Sequence, residues 1–237
     1  ADPVLGGFQR VVRARALPRL YCDELLLGMT MDADDVSYER LGDLLVYCYR
    51  AAGTVGLMMA HVLGVRDESA LPAAAQLGMA MQLTNICRDL AEDHERARCY
   101  LPRELLGSKT SDAIRASFGG AFPDEAKRDA GRVRGVLLDL ADRYYAAADE
   151  GLRALDWRSA LAIGVARRGY AAIGDVIRRR GVNRIEGRAF VRRRGKAVIA
   201  AGALARALGD LPRRVPSRFR PIVPRVRLEY RDVQLRS

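Results

Sequence analysis

One stretch limits what this chain can fold into: Gly78-Met79-Ala80-Met81-Gln82-Leu83-Thr84-Asn85-Ile86-Cys87-Arg88-Asp89-Leu90-Ala91-Glu92-Asp93. At helical spacing Gln82, Asn85, Asp89 and Asp93 step by three or four residues and share one face. Met79, Leu83, Ile86 and Leu90 form an apolar stripe beside it, and Ala80, Thr84, Cys87 and Ala91 line a third, small face. A helix with apolar and small faces is largely buried, so the polar stripe is expected to point into an interior cavity. Two carboxylates one turn apart in such a cavity repel, and burial strips each of its water. A cation or a metal resolves the conflict. Asn85, Asp89 and Asp93 offer hard oxygens that suit magnesium, which keeps water and phosphate ligands of its own. Spacing alone also admits a solvated acidic helix end paired with Arg88, Arg96 and Arg98.

The rest of the chain reads as helices joined by short turns. Hydrophobic residues are 49% of the 237 and aromatics only 6%, a mix that favours helix over sheet. Leu5, Phe8, Val12 and Leu17 give a first amphipathic stripe before Pro18. Further helices are expected from Tyr21 to Met31, Arg40 to Leu63, Leu71 to Arg98, Asp124 to Leu155, Arg158 to Arg180 and Arg188 to Leu208. Residues 106–123 connect, with one short helix. Residues 211–237 hold Pro212, Pro216, Pro221 and Pro224 among many arginines and are expected to be an irregular, peripheral tail. The expectation is a single all-α domain over residues 1–210, then that basic tail.

The charge is uneven. Residues 151–237 carry 22 Lys/Arg and 6 Asp/Glu, or +16, and the remainder carries 18 and 23, or −5. A basic surface serves nucleic acid, an anionic membrane face or an anionic substrate. Few aromatics interleave with these arginines and no nucleic-acid module is visible, which disfavours nucleic acid. No run of about 18 apolar residues suggests a membrane span, and no secretory leader is visible. Cys22, Cys48, Cys87 and Cys99 are scattered without metal-ligand spacing and read as reduced thiols of a cytoplasmic protein.

Three segments in order resemble the squalene/phytoene synthase family. Gln82-Leu83-Thr84-Asn85-Ile86-x-Arg88-Asp89-x-x-Glu92-Asp93, followed by Arg98-x-Tyr100-Leu101-Pro102, resembles that family's second Asp-rich signature. Tyr47-Cys48-Tyr49-x-x-Ala52-Gly53-Thr54-Val55-Gly56 resembles its other strong motif, and Glu24 through Gly28-Met29-x-Met31-Asp32 the segment before it. The similarity runs from about residue 4 to about 210. It implies an isoprenoid synthase (terpenoid synthase) helical bundle around a central cavity.

Carried over residue by residue, Asn85, Asp89 and Asp93 would hold Mg2+, or Mn2+. Gln82 and Tyr47 would act near the reacting carbocation. Arg88, Arg98 and Tyr100 would contact diphosphate. Ala51, Val55 and Gly56 would line the tunnel, with Gly53 and Gly56 making room for the isoprenoid, and Tyr170 and Arg188 would join from later helices. Each has a plainer reading. Tyr47 and Tyr170 could be core tyrosines, and the glycines could mark close helix packing. The Arg178–Arg180 and Arg192–Arg194 runs read as solvated faces.

The implied reaction is head-to-head condensation of two geranylgeranyl diphosphates to phytoene. The alternatives are farnesyl diphosphate giving squalene, with NADPH, or dehydrosqualene. A non-catalytic assembly or binding protein of the same fold is a further alternative. The basic half is expected to bring the protein peripherally to the inner face of a membrane. The family's first Asp-rich motif, Asp-x-x-x-Asp on an early helix, precedes everything seen here, and the chain opens at Ala1 rather than Met. The expectation is therefore an N-terminally truncated chain with half a metal site. Ala97 stands where the family commonly has Gly, and His94 where an aromatic is frequent.

Overall fold

The computed structural model describes residues 2–34, 37–65, 67–191, 193–209 and 230–234, without the side chains of 193, 194, 196 and 207. Among the described residues there is no strand. The main helices are α1 (Pro3–Arg15), α2 (Arg19–Ala33), α3 (Leu41–Cys48), α4 (Thr54–Leu63), α5 (Leu71–Glu95), α6 (Arg103–Leu106), α7 (Ser108–Ala116), α8 (Lys127–Gly151), α9 (Trp157–Arg180) and α10 (Arg193–Gly209). A single wider π-turn, Tyr49–Gly53, joins α3 to α4.

Local chemistry sets the ends. Asp2 accepts from the Val4 and Leu5 amides at the start of α1, and Asp156 caps α9 through Arg158 and Ser159. Gly64, at φ 74°, ends α4 in the left-handed region that glycine enters freely. Long α5 is the centre of the molecule and packs most extensively on α8, then on α4, the π-turn and α9. Its apolar and small faces are sealed: Met79, Ala80, Leu83 and Cys87 have no exposed surface. Gln82, Asn85, Asp89 and Asp93 are only partly covered, as their shared face implies.

The packing of α5 relies on missing side chains. A Cβ on Gly78 would sit 2.1 Å from the Ala52 carbonyl oxygen, and one on Gly56 would sit 2.1 Å from that of Ala74. These two glycines let α4 and the π-turn lie backbone to backbone against α5. Gly53 is packed on Tyr49 and Met79. Gly53 thus serves close helix contact, the plainer reading of that residue, and Gly56 does so while also bordering an apolar cavity of the bundle. Gly151 does the same for α8, where a Cβ would lie 2.5 Å from that of Ala73.

Other expectations change in detail. The connecting region 106–123 holds the one short helix expected, α7, preceded by the single turn α6, and the end of α7 is tied to α5 by buried His94, whose Nε2 lies 2.9 Å from Ser117 Oγ. The last long helix begins at Arg193, because residues 181–191 form an irregular, anchored loop. Leu5 and Phe8 of α1 are exposed, so only Leu17 of that stripe reaches the core. Much of the 211–237 tail lies outside the described residues. Residues 230–234, however, are not peripheral: Val233 is fully buried, its carbonyl accepts from Gln76 Nε2 at 3.0 Å, and Tyr230 packs on Tyr49. Helical periodicity carries no signal for such a docked tail end.

Gly78→Ala is expected to cost about 3 kcal/mol or prevent folding, since backbone must move. Gly135→Ala in α8, where a Cβ meets nothing within 4 Å, should stabilise by about 0.5–1 kcal/mol. Urea unfolding of the two variants checks both signs.

Candidate functional site

The polar face of α5 and an apolar cavity are continuous. The cavity has a volume of about 370 Å³ and lies between α4, α5, α8 and α9. Gln82, Asn85 and Tyr170 line it, with Ala51, Val55 and Gly56 along one side and Ala73, Ala148 and Leu155 among the residues farther along. Its α5 wall runs from Asn85 back to Ala73, which at 1.5 Å per residue is about 18 Å of helix.

A hydroxyl network lies beside this wall. Tyr47 donates to Asp32 Oδ2 at 3.0 Å and Tyr100 to Asp32 Oδ1 at 2.8 Å, while Gln82 Nε2 donates to the Tyr47 hydroxyl at 3.3 Å. The Tyr47 and Tyr100 rings stack with centroids 5.3 Å apart, and Tyr38 packs on both. Burial is the main reason that the Tyr100 hydroxyl is pushed up to about 12, and it raises Tyr47 further. Both remain neutral donors. Tyr47 is therefore a core tyrosine and a member of the polar network at once. Arg98 lines a small crevice with Asp32, Tyr38 and Tyr100. Ala97, just before it, has φ 59°, so the reversal after α5 sits where a glycine would be unstrained.

The carboxylates are met by arginines. Arg88 holds Asp89 through two hydrogen bonds, and Arg188 Nε reaches Asp89 Oδ1 at 3.1 Å from the 181–191 loop. Tyr170 lies close enough to Arg88 to favour its charged form. Thus Arg88, Asp89, Tyr170 and Arg188 come together, with Glu92 3.8 Å from Arg188. Arg178 is spent elsewhere, bridging Asp139 and Asp142 between α8 and α9, and the side chains of Arg192–Arg194 lie outside the described residues.

Asp93 has no such partner in hand. Burial first, and then the charge on Asp89, push its carboxyl up to about 7, against the opposing pull of Arg96 and Arg98. Asn85 Oδ1 is buried and has no hydrogen-bond partner among the described residues, although its amide donates to Gln82 Oε1 at 3.4 Å. An orphaned oxygen of this kind has a cost unless something accepts its lone pairs. Among the described residues no three Asp, Glu, His or Cys form a ready cage for a metal. Asn85, Asp89 and Asp93 instead present oxygens on successive turns, a set suited to a hard cation that brings water or phosphate as further ligands.

Sequence reasoning gave no role to Asp32 or Tyr38. Asp32 had two legible signals, its place at the end of the family-like segment Glu24 to Asp32 and a carboxylate closing the uncharged run Leu25 to Met31. Tyr38 had none.

The profile of the family described as squalene/phytoene synthase matches residues 1–195. Over 175 residues the chain is 42% identical to a 15-cis-phytoene synthase of Enterobacter agglomerans, covering 73% of this chain and 57% of that protein. Over 217 residues it is 36% identical to a 15-cis-phytoene synthase of Pantoea ananas, covering 92% and 69%. The chain thus spans little more than half the length of the Enterobacter relative. Among solved structures, a dehydrosqualene synthase in complex with ligand matches with TM-score 0.68 and 24% identity, over 82% of this chain and 67% of that one. A squalene synthase from Alicyclobacillus acidocaldarius matches with TM-score 0.66 and 23% identity, over 76% and 67%. Both are all-helical relatives in fold.

The raised Asp93 carboxyl fixes a sign. Its protonated form is favoured by folding, so this contribution is complete at pH below about 4 and is lost as pH rises through about 7. In metal-free protein Asp93→Asn should therefore stabilise at pH 8, by about 1–2 kcal/mol after allowance for solvent screening, and by roughly a third as much at pH 5. Urea titrations in EDTA at both pH values test this. Equal effects at the two would show that Asp93 titrates normally.

Proposed function

Because the chain belongs to the squalene/phytoene synthase family, we propose that it is a phytoene synthase. In this reading it joins two geranylgeranyl diphosphates head to head, through prephytoene diphosphate, to phytoene. One observation carries the proposal: the oxygen-bearing stripe Asn85, Asp89, Asp93 and the apolar cavity are laid along the same helix. A substrate with an anionic head and a long hydrocarbon tail fits that arrangement. The bacterial phytoene synthases among the relatives favour a tail of four isoprene units.

The donor set fits magnesium, and the orphaned Asn85 Oδ1 supports that assignment. Asn85, Asp89 and Asp93 would hold it. When bound, it neutralises diphosphate charge and eases departure of that group. Arg88, Arg98 and Arg188 receive the anion as fixed guanidinium donors. The neutral hydroxyls of Tyr47 and Tyr100 and the amide of Gln82 present dipoles and ring faces to developing positive charge. Ala51, Val55, Gly56 and the other apolar walls keep water from the allylic cation.

Peripheral attachment to an anionic membrane belongs to this reading. No described helix is long and apolar enough to cross a membrane. However, α1 has Arg10, Arg13 and Arg15, no acidic residue, and exposed Val4, Leu5 and Phe8, the pattern of a helix lying in a membrane surface. Co-sedimentation with vesicles should rise with anionic lipid and fall about tenfold for Phe8→Glu with Arg10→Glu. Binding indifferent to lipid charge would remove this part.

The activity test is incubation with magnesium and geranylgeranyl or farnesyl diphosphate, with products read by mass spectrometry. The chain is used alone and joined to any flanking sequence that its gene encodes. Phytoene is expected, with the rate reduced at least about 100-fold in Asp89→Asn. A thirty-carbon product from farnesyl diphosphate alone would replace the substrate. Folded protein that yields nothing would point to the non-catalytic reading.

A further inference from the structure

Arg134, in α8, is among the largest fully buried side chains of the described residues, 2% exposed. A buried guanidinium is costly unless its donors are satisfied, and the expected partner is a carboxylate. Arg134 has instead three backbone carbonyls. Its Nε donates to Cys87 O at 2.6 Å, and its NH1 nitrogen donates to Val182 O at 3.1 Å and Arg184 O at 2.8 Å. Three of the five N–H donors of the fork are thereby used on two separate elements.

Those elements are the two sides of the arginine–carboxylate cluster. Cys87 precedes Arg88 and Asp89 on α5, and Val182 and Arg184 begin the loop that carries Arg188. The loop has further anchors. Ile185 and Ala189 are buried, Lys127 pairs with Glu186, and Arg180 NH1 donates to Arg188 O at 3.1 Å. Asn183 presses against Gly131, one turn before Arg134, so closely that a Cβ there would overlap Asn183 Oδ1 at 1.9 Å. Arg188, itself 53% exposed, has only ion pairs to hold its side chain, with Asp89 at 3.1 Å and Glu92 at 3.8 Å. Its position therefore depends on the loop beneath it, and the loop depends on Arg134.

We infer that Arg134 is a positioning residue: it ties Cys87 of α5 to Val182 and Arg184, and so holds Arg188 at the distance from Asp89 at which the cluster takes an anion. This rests on the diphosphate reading above. The planar, two-ended fork is essential to the role, because a lysine retains the charge but is a single point donor that cannot span both elements.

The test is a double-mutant cycle read by calorimetry with magnesium pyrophosphate as the probe. Arg188→Ala is expected to weaken binding about tenfold, and Arg134→Lys about threefold to tenfold, in protein that remains folded. In the Arg188→Ala background Arg134→Lys should change affinity less than about twofold, while its lowering of Tm persists. Gly131→Ala, which displaces Asn183 and the same loop, should show the same dependence on Arg188 and serves if Arg134→Lys does not fold. Wild-type affinity in folded Arg134→Lys, or an equal loss in both backgrounds, would overturn the inference. A wild-type protein that does not bind magnesium pyrophosphate would overturn the diphosphate reading itself, a separate result.

Discussion

Acid on a buried helix is the constraint to which the rest of this structure answers. Helix α5 has two faces sealed in the core and a third that bears Asn85, Asp89 and Asp93. Its own sequence cannot neutralise that face from within, because it holds a single Lys or Arg against four acidic residues that include Glu92 and Glu95. Arg88 is the one cation in reach on the helix. The others come from elsewhere: Arg188 from the loop after α9, and Arg98 from the reversal after α5. The helical packing therefore has to deliver several distant segments to one face. That accounts for buried polar anchors such as Arg134 and His94, whose hydrogen bonds run to backbone or to a hydroxyl rather than to a carboxylate.

The cavity follows from the same packing. Gly56 and Gly78 bring α4 and the π-turn into backbone contact with α5, while alanines at 51, 52, 70, 73, 74 and 148 leave the flanking space unfilled. Close contact at two points and small side chains around them leave a void without loss of rigidity, since helix backbones do not collapse into it as a flexible chain would. The π-turn at Tyr49–Gly53 belongs to this arrangement. It follows Tyr47 and includes Ala51 and Ala52, so one wide turn presents both the ring network and part of the cavity wall.

Much of this was legible in the sequence. The three faces of α5 follow from period alone, and the structure buries Met79, Leu83, Ile86 and Leu90 as the period requires. The all-helical fold and the long helices were legible for similar reasons, whereas Tyr170 was brought to the same cavity as Gln82 and Asn85 only by the family resemblance. What was not legible depends on contacts distant in sequence. Asp32 accepts from tyrosines 15 and 68 positions away, and no local pattern announces that. Arg134 reads as one more surface arginine of a basic chain until α5 and the 182–184 carbonyls close over it. The end of the tail is similar: Val233 and Tyr230 are too few to show a period, yet they are held by Gln76 and Tyr49.

The arginine contacts to Asp89 invite a simple ion-pair explanation of the whole face, and geometry argues against stopping there. A carboxylate has about four acceptor sites on its two oxygens, so guanidinium contacts leave room for a cation. An ion-pair lattice would also be expected to satisfy its neighbours. Instead Asp93 is pushed up to about 7 and Asn85 Oδ1 is left without a partner. Both lie on the same face, one turn to either side of the well-paired Asp89. An orphaned amide oxygen and a raised carboxyl flanking a well-paired carboxylate are poorly explained as stabilising pairs, which contribute little even when complete. That pattern supports the proposed reading of Asn85, Asp89 and Asp93 as ligands of a hard cation.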